Sequence, residues 1–292
     1  MFPFADFLQS GLLLGSIYGL SAVALALVWG IVGILNMAHG TFLVLAGYFS
    51  FLLISQLGIP WPVGIALAIG ASGVVNVVFY QLLVFPIYRR KEFVVDVIIL
   101  TIGLAIIIEA ALTWIFTGYP RVQPAQLSGR LVIGDIVLAH QTILVISTGT
   151  VLIALLHIIV NKTSLGRQAR AIAQDHEAAA LNGIPIERVY RRILFIGGCL
   201  GGISGILLSA QIPMAPYVGA EPMLKAFIVV VVTGIGNIAG VFFVGLGLGL
   251  VEALIGFGLG PRYGLVGLLL IVIVALLVKP QGLLGSAASK RM

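Results

Sequence analysis

Two carboxylates stand well inside largely apolar stretches: Glu109 within Val94 to Phe116, and Glu252 within Met223 to Phe257. A charge at mid-bilayer depth costs about 2.5 kcal/mol or more, so such a group faces a protein interior or water. Either the glutamates line a path for a solute or ion, or each is protonated or hydrogen-bonded and locks two helices together. Neither has an arginine or histidine near it in sequence, which is thin material for a proton relay. Asn36-Met-Ala-His39-Gly40 joins two apolar runs with almost no loop. Asn36 can cap backbone groups and Gly40 can take angles closed to other residues, so the segment is a tight polar turn or part of a substrate path. The four histidines, His39, His140, His157 and His176, lack ligand spacing, and no metal site is expected. None of the five lysines follows a glycine, so the phosphate-cradling Gly-x-x-x-x-Gly-Lys-Ser/Thr loop is absent. With no nucleophile–base set and no paired carboxylates, no catalytic residue is assigned and an enzyme is not expected.

The second polar feature is Asn161 to Arg192. It holds Lys162, Arg167, Arg170, Arg188, Arg191 and Arg192, six of the sixteen basic residues. A helix of about a dozen residues is expected there, with Ser164 as N-cap and Gly183 followed by Pro185 as stop and restart. Ala169, Ile172, Ala173, His176 and Ala180 recur at spacings of three and four and would form one face.

The elements that carry these residues are membrane spans. The chain of 292 residues is 60% hydrophobic and 9% charged, against roughly 25% charged in a soluble domain. The net charge of +6 comes from short loops between apolar runs, which is the positive-inside pattern and not a nucleic-acid signal. The fold class is therefore all-α and polytopic, a single transmembrane domain over 1–292 with a polar loop at 161–192. At roughly 20 residues per crossing, about eight hydrophobic segments emerge: 12–35, 41–57, 62–85, 94–116, 136–160, 189–210, a broken or re-entrant seventh region at 223–257, and 265–278. The first run is too long for a signal peptide and stays as a span. Arg89, Arg90 and Lys91 lie on the same side as the loop after the fifth run, so that side is the cytoplasm and the N-terminus is outside. If the seventh region crosses twice, twelve of the sixteen basic residues lie inside and the C-terminus is cytoplasmic; if once, nine do. The double crossing, broken at Gly234-Ile-Gly-Asn237, is the better assignment.

Glycines repeat every four residues at Gly11, Gly15 and Gly19, and at Gly197, Gly201 and Gly205, with Gly198 and Gly202 beside them. Close helix packing is the expected use. Gly33-Ile-Leu-Asn-Met-Ala38 is echoed by Gly234-Ile-Gly-Asn-Ile-Ala239, by chance or as an internal repeat. The outside loop, Thr117 to Asp135, is a solvated loop or the cap of an entrance.

Four separated stretches carry a resemblance: Gly33-Ile-Leu-Asn-Met-Ala-His-Gly-Thr-Phe, Leu100-Thr-Ile-Gly-Leu, Ser164-Leu-Gly-Arg-Gln-Ala-Arg-Ala-Ile-Ala-Gln-Asp and Val232-Thr-Gly-Ile-Gly-Asn-Ile-Ala-Gly. End to end, the chain resembles the permease subunit of branched-chain amino acid ABC importers. That resemblance implies a multi-pass protein of a bacterial or archaeal cytoplasmic membrane. Its partners would be two ABC ATPase subunits, a second homologous permease, an external substrate-binding protein and membrane lipid. ATP and magnesium would sit on the ATPases, with no cofactor on this chain. By the resemblance, Gly166 to Gly183 form the loop that docks on the ATPase, with Gly166, Arg167, Arg170, Asp175, Glu177, Ala178, Ala179 and Gly183 as coupling residues. Asn36, His39, Gly40, Glu109, Gly234, Gly236, Asn237 and Glu252 are the candidates for the translocation path. The alternative from another class is an ion-coupled transporter or facilitative channel for small neutral solutes such as amides or urea, using Glu109 and Glu252.

Overall fold

A computed structural model of the protein describes residues 4–87, 93–125, 127, 129–133, 136–234 and 236–285. Arg89, Arg90, Lys91, Lys290 and Arg291, which enter the charge count, lie outside the described residues, as does Ile235 of the Gly234 motif. The fold is helical: α1 (Phe4–Val32), α2 (His39–Phe51), α3 (Trp61–Phe79), α4 (Phe93–Phe116), α5 (His140–Lys162), α6 (Ser164–Gln174), α7 (His176–Leu181), α8 (Ile186–Ser209), α9 (Ala220–Thr233), α10 (Ile238–Leu259) and α11 (Gly264–Val278). Among the described residues nine helical segments are long and apolar enough to cross a membrane, against the eight expected. The extra one comes from the seventh region. Its break falls at 234–237 as expected, but the helical run before it begins at Pro216 instead of Met223, because a 3-10 turn over Pro216–Gly219 leads into α9. The fifth apolar run also starts differently. Ile136–Ala139 is strand β2, paired antiparallel with β1 (Arg130–Ile133) in the register Arg130 to Ala139, and the helix begins only at His140.

The chain divides into two compact units. One comprises Met1–Ala26, Gln126–Ala154 and Leu224–Met292. In it the first glycine stripe meets α10 backbone to backbone. A Cβ placed on Gly15 would lie 2.7 Å from the Leu246 Cα, and one on Gly11 2.9 Å from the Leu250 Cα. Lipid is as apolar as leucine, so membrane helices associate through such close packing and not through hydrophobic exclusion. α10 and α11 form a hairpin that turns at Pro261–Tyr263. Beyond α11 the chain returns to the end of α9, where Leu283 N–H donates to Val232 O (2.7 Å) and Leu284 N–H to Thr233 O (2.9 Å).

The other unit comprises Leu27–Ala125 and Leu155–Met223, built on α2, α3 and α8. The two glycine stripes of α8 serve two neighbours. Gly205 and Gly201 face Leu43 of α2, while Gly198 and Gly202 face Ser72 of α3. Val44, Tyr48, Leu112, Phe116 and Met214 form a buried cluster, in which the Tyr48 and Phe116 rings sit 4.7 Å apart. The first part of the outside loop is not simply solvated. Arg121 bridges Met214 through backbone hydrogen bonds of 2.7 and 2.8 Å. Gln123 is buried and donates to Ser50 Oγ (2.7 Å) and Ser209 Oγ (2.9 Å), which pins the loop across α2 and α8.

Candidate functional site

Between α5 and α8 the polar segment folds as two helices and not the single one expected. Thr163, not Ser164, is the N-cap of α6: its Oγ1 accepts from Gly166 N–H (3.2 Å) and donates to Ile159 O (2.6 Å). Threonine can do both at once because its hydroxyl is donor and acceptor. Gly166 lies against the Ile159 and Val160 carbonyls, where any Cβ would collide. The Arg170 guanidinium donates to the Val160 carbonyl. These contacts fold α6 back onto the end of α5, and Ala169 and Ile172 bury against α8.

Asp175 ends that helix in extended backbone (φ −156°, ψ 108°) and caps the next, accepting from Ala178 N–H at 2.9 Å. The expected face is therefore broken in two. Ala169 and Ile172 are buried on α6, whereas Ala173, His176 and Ala180 are exposed. Only Ala179 of α7 is buried; Glu177, Ala178 and Ala180 point outward and Leu181 is 89% exposed. Gly183 ends the segment at φ +75°, the left-handed turn that favours glycine. The His176 ring lies 6.3 Å from Tyr190 of α8, and Tyr190 meets Tyr80, just past α3, edge-on at 6.2 Å.

The echoed motifs share a left-handed glycine turn and differ in how the asparagine is used. After α1, Gly33 takes φ +76° and donates to Trp29 O (3.0 Å), and Asn36 Oδ1 accepts from Ala38 N–H (2.9 Å). After α9, Gly234 takes φ +96° and donates to Val230 O (2.9 Å), and Asn237 Oδ1 accepts from Gly240 N–H (3.0 Å). Each is a helix stopped by a left-handed glycine; Asn36 then closes a two-residue turn ahead of α2, whose N-cap is Ala38, whereas Asn237 is itself the N-cap of α10. Irregular backbone at membrane depth must have such internal partners. Gly40 presses on the Gly219 carbonyl, leaving no room for a side chain. His39 is buried beside Gly201 and borders a small cavity with Ser72 and Asn76, with room for about one water molecule. Gly236, at φ +104°, is exposed.

The two glutamates part company. Glu252 is not isolated: its Oε1 lies 2.7 Å from Lys225 Nζ, which also donates to the Tyr18 hydroxyl at 2.7 Å. Glu109 is half-buried on the flank of α4, beside exposed Ile106 and Ile107, and no described side chain pairs with it.

Sequence reasoning passed over Lys225, Tyr18, Thr101 and Gln123. Thr101 lies in the Leu100-Thr-Ile-Gly-Leu stretch; its Oγ1 accepts from Met37 N–H (3.1 Å) and so fastens the first helix break to α4. A lysine inside an apolar run was as visible as Glu252, and both break the hydrophobic pattern for the same reason.

Apolar helices of spanning length, two glycine-turned helix breaks and an exposed helix pair carried between two spans define a polytopic membrane protein of the transporter class. This chain belongs to the family described as branched-chain amino acid transport system, permease component, which matches residues 7–277. It is 31% identical to the high-affinity branched-chain amino acid transport system permease protein LivH of Escherichia coli K12, over 97% of this chain and 96% of that one. It is 30% identical to the permease protein BraD of Pseudomonas aeruginosa (95% and 94%), and 25% identical to a probable LivH of Methanocaldococcus jannaschii (95% and 91%). PsaBC from Streptococcus pneumoniae in complex with Fab shares the fold at TM-score 0.50 and 13% identity, over 94% of this chain and 92% of that one. These matches leave the ion-coupled alternative without support.

Proposed function

We propose that this chain is the permease subunit of an ATP-binding-cassette importer in a bacterial or archaeal cytoplasmic membrane, carrying branched-chain or related amino acids inward. The likeness to LivH and BraD over nearly the whole length supports the substrate class. Of two separate ATPases, holding ATP and magnesium, one docks on α7. A second homologous permease completes the path, and an external binding protein supplies the substrate. The basic residues around α6 and the start of α8 put that end in the cytoplasm. Nine crossings from an external N-terminus then bring the segment at 283–284 to the same side.

The observation that carries the reading is α7, a short helix held by the Asp175 cap and the Gly183 turn, with Leu181 89% exposed. An apolar side chain fixed outward on a built helix waits for a partner groove. Movement of the ATPases would push α7, and the His176–Tyr190–Tyr80 contacts pass that push to α8 and α3. Rocking of those spans would open the translocation path, for which Asn36, His39, Gly40, Gly234, Gly236 and Asn237 stay the candidates by family resemblance. Glu252 serves the path by locking helices through Lys225, and Glu109 faces the second permease.

The contacts within the segment support a division of roles among the coupling residues. Gly166 and Arg170 hold α6 to α5, Asp175 and Ala179 seat α7, and Arg167, Glu177 and Ala178 meet the ATPase. The test is Leu181→Glu beside Gly183→Val in cells carrying the complete importer. Uptake should fall to background while membrane insertion is kept and ATPase co-purification weakens. Normal uptake in both variants would overturn the proposal.

A further inference from the structure

α8 enters its apolar stretch with a charged stripe. Arg188, Arg191, Arg192 and Phe195 follow the i, i+3, i+4, i+7 spacing of one helix face. All four are exposed, while Val189, Tyr190, Ile193 and Leu194 on the opposite side are buried. Between this stripe and α6 runs a groove lined by Leu165, the three arginines, Phe195 and Ile196. Its surface is apolar throughout, the arginines lining it with their methylene stems, and none of these three exposed arginines has a carboxylate partner among the described residues. At 1.5 Å per residue, Arg188 to Phe195 covers about 10 Å along the helix. That is comparable with the depth over which one side of a bilayer passes from headgroup to acyl chain.

The order of groups matches one kind of occupant. A soluble anion would satisfy the arginines and leave the exposed side of Phe195 and the apolar groove uncovered. A plain hydrocarbon chain would cover Phe195 and leave three cations uncompensated. We propose that this groove seats an anionic phospholipid, with its phosphodiester on Arg188, Arg191 and Arg192 and an acyl chain along Phe195 and Ile196. Guanidinium forks suit phosphate oxygens in bidentate geometry, and basic pockets at the membrane edge bind such headgroups. Because Leu165 belongs to α6, the bound lipid would also brace the segment that carries α7.

The test uses the full chain purified in detergent and titrated with phosphatidylglycerol or phosphatidylcholine, with retained lipid read by native mass spectrometry. Phosphatidylglycerol should be retained about tenfold more strongly than phosphatidylcholine. Arg188→Gln/Arg191→Gln/Arg192→Gln should abolish that preference, and the charge-matched control Lys162→Gln/Arg167→Gln/Arg262→Gln should keep it. Should the first triple variant misfold, Arg191→Gln alone should weaken the preference. Phe195→Ala should weaken lipid retention without changing weak binding of glycerol 3-phosphate, which separates a lipid seat from a bare anion site. Equal retention of the two lipids, equal loss in the control, or release of the lipid when the ATPase subunits bind would overturn the proposal, the last assigning the stripe to the ATPase.

Discussion

Lys225 Nζ lies 2.7 Å from Glu252 Oε1, so the two charges join the first half of α9 to the second half of α10, about 13 Å or more along the helices from the break at 234–237. The ammonium also donates to the Tyr18 hydroxyl and sits 4.7 Å from the centre of that ring, which ties in α1. Both side chains are largely buried, at 8% and 12% exposure. Removing one partner leaves a buried, uncompensated charge, whereas removing both leaves none. Lys225→Met or Glu252→Leu alone should therefore cost about 3–5 kcal/mol, and the double substitution much less than their sum. Thermal unfolding of the four proteins in detergent measures the coupling. Additive losses would mean that the pair does not act as a unit.

The glycines of α8 are not equivalent. A Cβ on Gly205 would run into the Leu43 carbonyl, but one on Gly201 would rest at 3.6 Å from Leu43 Cδ2 and 3.7 Å from His39 Cε1, ordinary contact distances. Gly205→Ala should destabilise by about 1–3 kcal/mol through overpacking. Gly201→Ala should stabilise by up to about 1 kcal/mol, because alanine loses less backbone freedom in a helix. Unfolding midpoints of the two variants give the comparison, and equal effects would refute the contact asymmetry.

Asp175 stops one helix and starts another, so its carboxylate is worth more than its exposure suggests. Asp175→Ala should remove about 1 kcal/mol from α7, while Asp175→Asn, which still offers an oxygen acceptor to Ala178 N–H, should be nearly silent. Hydrogen exchange at Ala178 to Asn182 is the direct measurement. Faster exchange in the alanine variant alone is expected, together with weaker ATPase co-purification.

Gln123 holds the outside loop by two side-chain hydrogen bonds in a buried setting. Gln123→Leu should cost about 1–3 kcal/mol, since both serine oxygens lose a donor. Limited proteolysis should then cut within 117–125 far faster than in the unchanged protein. Unaltered resistance would show that the Arg121–Met214 bridge alone suffices.

What the sequence determined by itself was the class, the spans and the family. A hydrocarbon run long enough to cross a bilayer has few alternatives, because every backbone amide must be satisfied within the segment. The helix breaks were legible too, since a left-handed glycine followed by an asparagine that accepts from nearby backbone N–H is a local device with a local signature, as at Gly33–Asn36 and Gly234–Asn237. The end of the polar segment at Gly183 was readable for the same reason. The choice of Thr163 over Ser164 as cap, and the break at Asp175, depended on how α6 folds back against the end of α5 and α8. Lys225 with Glu252, Gln123 with Ser50 and Ser209, and Thr101 with Met37 pair residues 27 to 86 positions apart. Such partners were decided only by the tertiary structure. Nothing in the spacing of a lone charge or amide says which distant helix will turn its own polar group toward it, and only the packed backbones, brought close by their glycines, bring the two together.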